Sequence, residues 1–576
     1  MDSIHAKAIS LDWRNAPLLK QYRSRLPNST KAPQNEKWGW RRRQLTLRVH
    51  FDAFRLEPWR YLEAVVWRLR GLRLRARNRF AELIGKSPSA YALWIEKIEP
   101  KTRATSFASA PGRAFSLIGV IDCTESEENL GETISSFKGV ERLIVVGGAD
   151  KMGPFVWIPE PTDLAELVPD ASWICIARSG DRLSESALDT YAGEGGRLPK
   201  SSIFYADDDL IGLRGERQLP HFKPSWNPEL FAHHDFVTHS CILKVSTSAL
   251  RKLRPGGWVR DLVLDLISSE NIPVRIPMVL HHRRQRPKAT RSLAAVGAIG
   301  ASSAAEVTVI VPTRNQLPLL RNCINGVKQV DYPAVEILIV DNGTDDTEAL
   351  EYLHSLEGQG ARILHIPGPF NYSALNNAAV RQTRTEYLCF LNNDVEMMDS
   401  AWLRSMIAQA MRADIGAVGA RLLYPDHTIQ HAGVVTGIGG GAGHAHRFQA
   451  LEAEGYFNRA NLPQRTNAVT GACMILARHK FLAAGGFDEV NFPVAFNDVD
   501  LCLKLNERGW QSFYEPRATL IHHESKSRGD DRARLNRTRF AGELAALKRK
   551  WGTDCERDPY HHPHLSPFCE QFVIAV

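Results

Sequence analysis

No run of about 18 apolar residues occurs anywhere in this 576-residue chain, so no stretch has the length of a transmembrane helix. The opening residues MDSIHAKAIS lack an apolar h-region, and a secretion signal is not expected. Cysteine is sparse and scattered: nine residues, an odd number, with no CxxC pair and no zinc-ligand spacing. That argues against a disulfide framework and for reduced thiols in a cytoplasmic protein. An excess of one charge is nearly missing too. The net charge of +8 comes from 72 Lys+Arg against 64 Asp+Glu, so where the excess sits matters more than its size. The 44% hydrophobic and 24% charged content is that of a globular chain, too long for a single core.

Residues 1–105 are basic and read as mostly helical. From Trp59 the apolar residues Leu62, Val65, Val66, Leu69, Leu72, Ala76, Phe80 and Leu83 recur at helical steps, with arginines filling much of the rest. Such a helix over 59–84 could lie on an anionic membrane surface, as a peripheral contact on the cytoplasmic face of an inner membrane. Equally, it could pack on its own domain with a solvated arginine face. No recognisable nucleic-acid module accompanies the arginines, so nucleic acid is not an expected partner.

Residues 291–305, RSLAAVGAIGASSAA, read as a linker between two segments that echo each other. In the second segment, 306–525, short apolar runs end at VTVIVPTRN, ILIVDNGTD and YLCFLNNDVE, with helical stretches between. This is the pattern of an α/β fold with a mostly parallel sheet. In the first segment, 106–290, SLIGVIDCTES, LIVVGGAD and WICIARSGDRL follow in the same order. Further echoes are Val237–Cys241 with Val469–Cys473, Gly256-Gly257-Trp258 with Gly485-Gly486-Phe487, and Leu280-His281-His282 with Ile521-His522-His523. Two tandem copies of one fold are expected, followed by a helical extension over 526–576.

In an open α/β sheet, ligands bind beyond the carboxyl ends of the strands. Pro312, Thr313 and Asn315 end the first strand of the second copy, Asp341 and Asn342 the next, and Asn392, Asn393 and Asp394 the third. Asp341 can accept hydrogen bonds from a nucleobase or ribose, although DNG taken alone is usually a turn. Asp394 is a hard oxygen ligand suited to Mg²⁺ or Mn²⁺ on a diphosphate, or else a helix cap. Asp498 opens a helix, where it could take a proton from an acceptor hydroxyl or simply favour the helix N-terminus. His522 ends the run ATLIHH and could be a second metal ligand, with His523 on the opposite face of a strand.

Taken in order, PTRN, DYPAVEILIVDNGTDD, FNYSALNNAA, EYLCFLNNDVE, IQHAGV, VTGACMILAR, GGFDE, FNDVDLCLKL and HHESKSRG resemble the family 2 glycosyltransferases. The likeness is greatest to the bacterial subgroup that builds rhamnose-containing O-antigen and cell-wall polysaccharides, and it covers 306–525 and the tail DPYHHPHLS. The resemblance implies a GT-A fold, a UDP- or dTDP-linked sugar donor, a saccharide acceptor carried on a lipid, a divalent metal, and inversion at the anomeric carbon. It assigns Asp341 to the nucleobase, Asp394 and His522 to the metal, and Asp498 to the catalytic base. Asn376 joins the nucleotide-sugar residues, and Gly471, Ala472 and Asn497 the sugar or acceptor pocket. Two departures stand out. The family's DxD reads Asn392-Asn393-Asp394, and its Glu-Asp pair reads Asn497-Asp498, which removes a like charge beside the base.

The first copy reads as degenerate. Val146 replaces Asp341, and Asp122-Cys123-Thr124 replaces Pro312-Thr313-Arg314, while Asp181 and His281 keep the metal positions. Asp261 falls near the position of the base, and Asp207-Asp208-Asp209 reads as an acidic turn. An acceptor-positioning or structural role is expected for this copy. The rival readings are a non-catalytic glycan- or nucleotide-sugar-binding scaffold, and a bifunctional transferase with both copies active.

Overall fold

The computed structural model describes residues 36–107, 115–149, 153–268, 270–290, 304–523 and 534–576. Most of the 291–305 linker, and HHESKSRG from Glu524 onward, lie outside the described residues. Among the described residues, no helix is long and apolar enough to cross a membrane. All nine cysteines are free thiols, and only Cys555 is exposed.

The two copies form two α/β sheets of one topology. Along the second sheet the strands are Arg362–His365, Val335–Asp341, Val307–Thr313, Tyr387–Leu391, Cys473–Ala477, Ile415–Leu423, Gln511–His522 and Val395–Met397. The first sheet repeats that order as Val156–Ile158, Arg142–Val146, Leu117–Asp122, Ser172–Arg178, Cys241–Val245, Ile203–Ile211, Val274–Arg283 and Arg182–Leu183. The first four strands of each series run parallel. Beyond them the sheets are mixed, because Cys473–Ala477 and Cys241–Val245 pair antiparallel with both neighbours. Val307–Thr313 is buried along its whole length, with separate apolar clusters packed on the two faces of the sheet. This explains its unbroken apolar run.

Strand register refines the repeat. Asp122 pairs with Val146 as Thr313 pairs with Asp341. Asp122 therefore stands where Thr313 does, one residue later than the Pro312 match expected from sequence. Asp207-Asp208-Asp209 is not a turn: it lies inside strand Ile203–Ile211 and is fully buried. Two of the three carboxylates persist there because cations from distant positions meet them: Lys223 Nζ lies 2.7 Å from Asp208 and Arg217 2.6 Å from Asp209. Asp207 is instead pushed up to about 7 by burial, and its neighbour His562, 2.9 Å away, is held well below the usual imidazole range by its own burial.

The copies are joined by a polar seam. Asn227 Nδ2 donates to the Arg465 carbonyl at 2.9 Å, and Arg465 N–H donates back to Asn227 Oδ1 at 3.1 Å. Glu229 bridges Arg465 and Arg412. Burial raises its carboxyl, but the two guanidinium groups outweigh that and bring it down to about 2. Residues 558–576 run along the same seam. His562 stacks on Phe222, Asp558 accepts from the Thr436 N–H, Phe572 stacks on His446, and Arg77 of the helical region lies over Phe568.

This seam sets an acid limit. Burial pulls His444, His446, His561 and His564 down to about 3, against about 6.5 in an unfolded chain. Between those values the unfolded chain takes up protons that the folded one refuses. Stability is therefore complete above about pH 6.5 and falls as the pH drops toward 3, by about 1.4 kcal/mol per pH unit per histidine. Buried Asp558 and Asp181, pushed up to about 6, and Asp207, to about 7, work in the opposite sense over part of this range, so the net fall is shallower than the histidines alone would give. Thermal melts should be level from pH 7 to 8 and fall below pH 6. A melting temperature unchanged at pH 4.5 would contradict this account.

Candidate active site

The strand ends of the second copy are wired to one another. Asn342 N–H donates to the Thr313 carbonyl at 2.9 Å, and Asn393 Nδ2 donates to Thr313 Oγ1 at 3.0 Å. Asn392 N–H donates to the Ala472 carbonyl at 2.9 Å, and the Asn392 side chain reaches His522 Nε2 at 3.3 Å. His522 Nε2 lies 3.1 Å from Asp394 Oδ1. Next to Ala472, Gly471 N–H donates to Asp498 Oδ2 at 2.9 Å. Residues from five separate stretches, 312–315, 341–342, 392–394, 471–472 and 498–522, thus meet at one edge of the sheet.

Asp341 is almost wholly buried. Its Oδ1 accepts from Thr344 N–H at 2.8 Å, across the turn made by Gly343 at φ +82°, and its Oδ2 meets His365 Nδ1 at 2.6 Å. The His365 side chain is 60% exposed. Asn315 ties the same turn down, its Oδ1 accepting from the N–H groups of Asp345 and Asp346. Pro312 is buried within its strand.

Asp498 is half-buried at the start of helix Asn497–Glu507. Its other oxygen accepts from Val499 N–H at 2.8 Å, so two backbone donors fix the carboxylate. A Cβ at position 471 would lie in ordinary contact, 3.5 Å, with that of Asp498, and 3.2 Å from the Tyr372 hydroxyl, which would have to give slightly. The loop before Asp498 is held from outside the copy. Glu543 of helix Arg534–Trp551 accepts from the N–H groups of Val494 and Ala495 at 2.8 and 3.0 Å. Trp551 and Lys550 bind the buried Asp500.

Two expected residues are turned elsewhere. Asn376 is fully buried, and its amide donates to Tyr372 O one turn back in its own helix. Asn497 is buried, with its amide on the Val494 carbonyl, so it shapes the loop rather than facing an acceptor.

Gln430 went unrecognised in the sequence, although it lies in the IQHAGV stretch. Its Oε1 sits 2.7 Å from His522 Nδ1. An amide oxygen accepts, so Nδ1 carries the proton, and Nε2 is the nitrogen left to face Asp394. A ring held this way presents Nε2 and the carboxylate side by side, as two ligands of one cation would be. Among the described residues no group of three or more His, Cys, Asp or Glu side chains could hold a metal. Asp394 and His522 would supply two ligands, leaving the remaining positions for substrate oxygens and water. Replacing Gln430 by Leu should weaken Mn²⁺ binding about 10–100-fold in the presence of a nucleoside diphosphate. Manganese EPR reads this directly, and unchanged affinity would remove Gln430 from the site.

The corresponding edge of the first copy is filled by its own side chains. Arg182 pairs with His282 as Val395 pairs with His522, which makes His282, not His281, the counterpart of His522. Bulges at Ala206–Asp208 shift the register. Neither imidazole faces Asp181: His281 binds the Tyr191 hydroxyl at 2.7 Å, and His282 binds Asp209 at 2.7 Å. Instead the buried Arg283 guanidinium lies 3.8 Å from Asp181 and 3.8 Å from Asp208. His239, at the position of Gly471, fills the space beside Asp122 at 3.1 Å. Burial raises the Asp122 carboxyl, but His239 and Thr124 outweigh that and bring it down to about 2. Asp261 is exposed on helix Trp258–Leu266.

Residues 308–481 match the family described as Glycosyl transferase family 2. An uncharacterized Sinorhizobium fredii protein, y4gI, is 33% identical over 531 residues, covering 84% of this chain and 57% of that one. The O-antigen biosynthesis protein RfbC of Myxococcus xanthus is 34% identical over 426 residues, covering 67% of this chain and 33% of that one. The N-acetylglucosaminyl-diphospho-decaprenol L-rhamnosyltransferase of Mycobacterium tuberculosis is 42% identical over 65 residues, covering 11% of this chain and 21% of that one. The chain thus spans about half of the first relative and a third of the second.

Proposed function

We infer that the chain, whose residues 308–481 match the family described as Glycosyl transferase family 2, is a glycosyltransferase of bacterial surface-polysaccharide assembly. It transfers a sugar from a UDP- or dTDP-linked donor to a hydroxyl of a lipid-linked saccharide. The observation carrying this reading is the joined edge at which the carboxylate of Asp498, fixed by Gly471, shares one hydrogen-bonded framework with Asp394 and His522.

In the reaction the acceptor oxygen forms a bond to the anomeric carbon as the bond from that carbon to the diphosphate oxygen breaks. The acceptor proton passes to Asp498, and the nucleoside diphosphate leaves from the opposite face, which inverts the centre. Asp341 receives the base, while Thr313 and Asn393 shape the floor beneath the phosphates. A divalent ion such as Mn²⁺ or Mg²⁺, held by Asp394 and His522, would offset the charge on the departing diphosphate.

Thermal-shift screening of nucleotide sugars with Mn²⁺ tests the donor, because a tight ligand stabilises the fold by mass action. If no UDP- or dTDP-sugar raises the melting temperature and none is consumed, the reading fails. The filled edge of the first copy makes a second expectation. Asp181→Asn should leave kcat/KM within about threefold of the parent, since that carboxylate faces Arg283 and no substrate. A loss of 100-fold in a folded variant would make the first copy catalytic.

A further inference from the structure

Trp40, Leu47, Phe51 and Phe54 sit on helix Glu36–Leu56 at intervals that place them within about 60° of one another. All four are open to solvent, at 67%, 72%, 63% and 42% exposure, while Val49 and Ala53 on the opposite side are buried. Exposed Arg43, Arg48 and Arg55 flank this stripe on both sides. Apolar residues are also open on the two helices that follow: Trp59 and Leu69 of Pro58–Leu69 are each 83% exposed, and Leu74 of Arg73–Gly85 69%. Between 39 and 80, Glu63 is the one exposed acid among the described residues.

The surface overlaps the 59–84 stripe in part. Leu62, Val66, Leu69 and Leu72 of that stripe are exposed, whereas Ala76 and Leu83 are buried in the helical bundle, where the Tyr61 and Phe80 rings meet at 5.4 Å. The open apolar face also takes in the preceding helix, which the periodicity did not include.

A contiguous open face of Trp, Phe and Leu calls for an occupant. A second copy of the same face would set arginine against arginine. An acid-rich bilayer satisfies both halves of the surface, taking the aromatic rings at the headgroup boundary and neutralising the guanidinium groups. We propose that helices 36–56 and 58–69 dock this protein on an anionic lipid surface. For its purpose this rests on the transferase reading, since it brings the enzyme to a lipid-carried acceptor. Its test does not depend on that reading.

The full chain is sedimented with phosphatidylcholine vesicles, with and without phosphatidylglycerol, at low and high salt. Binding is expected only with phosphatidylglycerol and should weaken as salt rises. Phe51→Ser should lower partition at least about tenfold, and Arg48→Gln about fivefold. Both side chains are exposed, so the fold should survive. Equal binding to neutral vesicles, no binding to anionic ones, or indifference to both substitutions would overturn the proposal. So would a dimer that Phe51→Ser dissociates while vesicles remain unbound, which would give this face to a second copy. Vesicle binding needs neither donor nor acceptor, so its failure leaves the transferase reading standing. Conversely, absent transfer leaves vesicle binding intact.

Discussion

Asp498→Asn is expected to lower turnover by about 10²–10⁴-fold while leaving the melting temperature and donor affinity near those of the parent. The amide keeps the size of the carboxylate, and its oxygen can still accept from Gly471 or Val499, so the loop should hold its shape. What it cannot do is take a proton. The loss should therefore fall on kcat at saturating donor and acceptor, and the pH dependence of the residual rate should flatten. Asp500→Asn gives the contrasting pattern. Asp500 is buried against Trp551, Lys504 and Lys550, so its replacement should lower stability first and activity only through unfolding. Were Asp498→Asn to retain turnover within about tenfold, the proton would have another destination.

The second large effect is expected at His522. Its Nε2 faces Asp394 at 3.1 Å, and its Nδ1 is held by Gln430. Removing the imidazole leaves one protein carboxylate for the cation, so His522→Ala should weaken Mn²⁺ binding by more than the roughly 10–100-fold expected when only the supporting residue is lost. EPR titration with nucleoside diphosphate reads the binding apart from turnover. EDTA should abolish transfer by the parent, and excess Mn²⁺ should partly restore the variant. Transfer indifferent to EDTA would remove the metal from the mechanism and leave His522 with a structural role. His523→Ala is the matched control, since that ring turns to the other face and binds Glu396 at 3.0 Å.

Much of this site could be read from the sequence because its residues sit where strands stop. Thr313, Asp341 and Asn392 each follow a buried apolar run, and a run that must be covered on both faces announces both a strand and its end. What escaped was set by partners far away in the chain. Asp207-Asp208-Asp209 looks like a turn because three adjacent acids belong in water; Lys223, Arg286 and Arg217, none of them predictable as neighbours, make the burial of Asp208 and Asp209 tolerable. The paired histidines of Leu280-His281-His282 and Ile521-His522-His523 match as letters, yet strand register sets His282 against His522, and the neighbouring strand carries bulges that leave no trace in composition. Asn376 fits its motif, yet the helix turns its amide inward. Gln430 is an ordinary polar residue until the fold places it against an imidazole. A helical stripe shows that a face is apolar, but not whether another helix already covers it.

The seam through residues 558–576 also fixes an order of assembly. Those residues touch the helical region, the first copy and the second copy alike, so the joint is complete only once they are in place. At roughly 5–20 residues per second, translation needs about 3–10 s to pass from 525 to 576. Throughout that interval both sheets can be complete while the polar faces of Asn227, Glu229 and Arg465 lack the strap that lies over them. A ribosome-bound chain is then a pair of finished lobes waiting to be buckled, and it is in those seconds that a chaperone would have the most to hold.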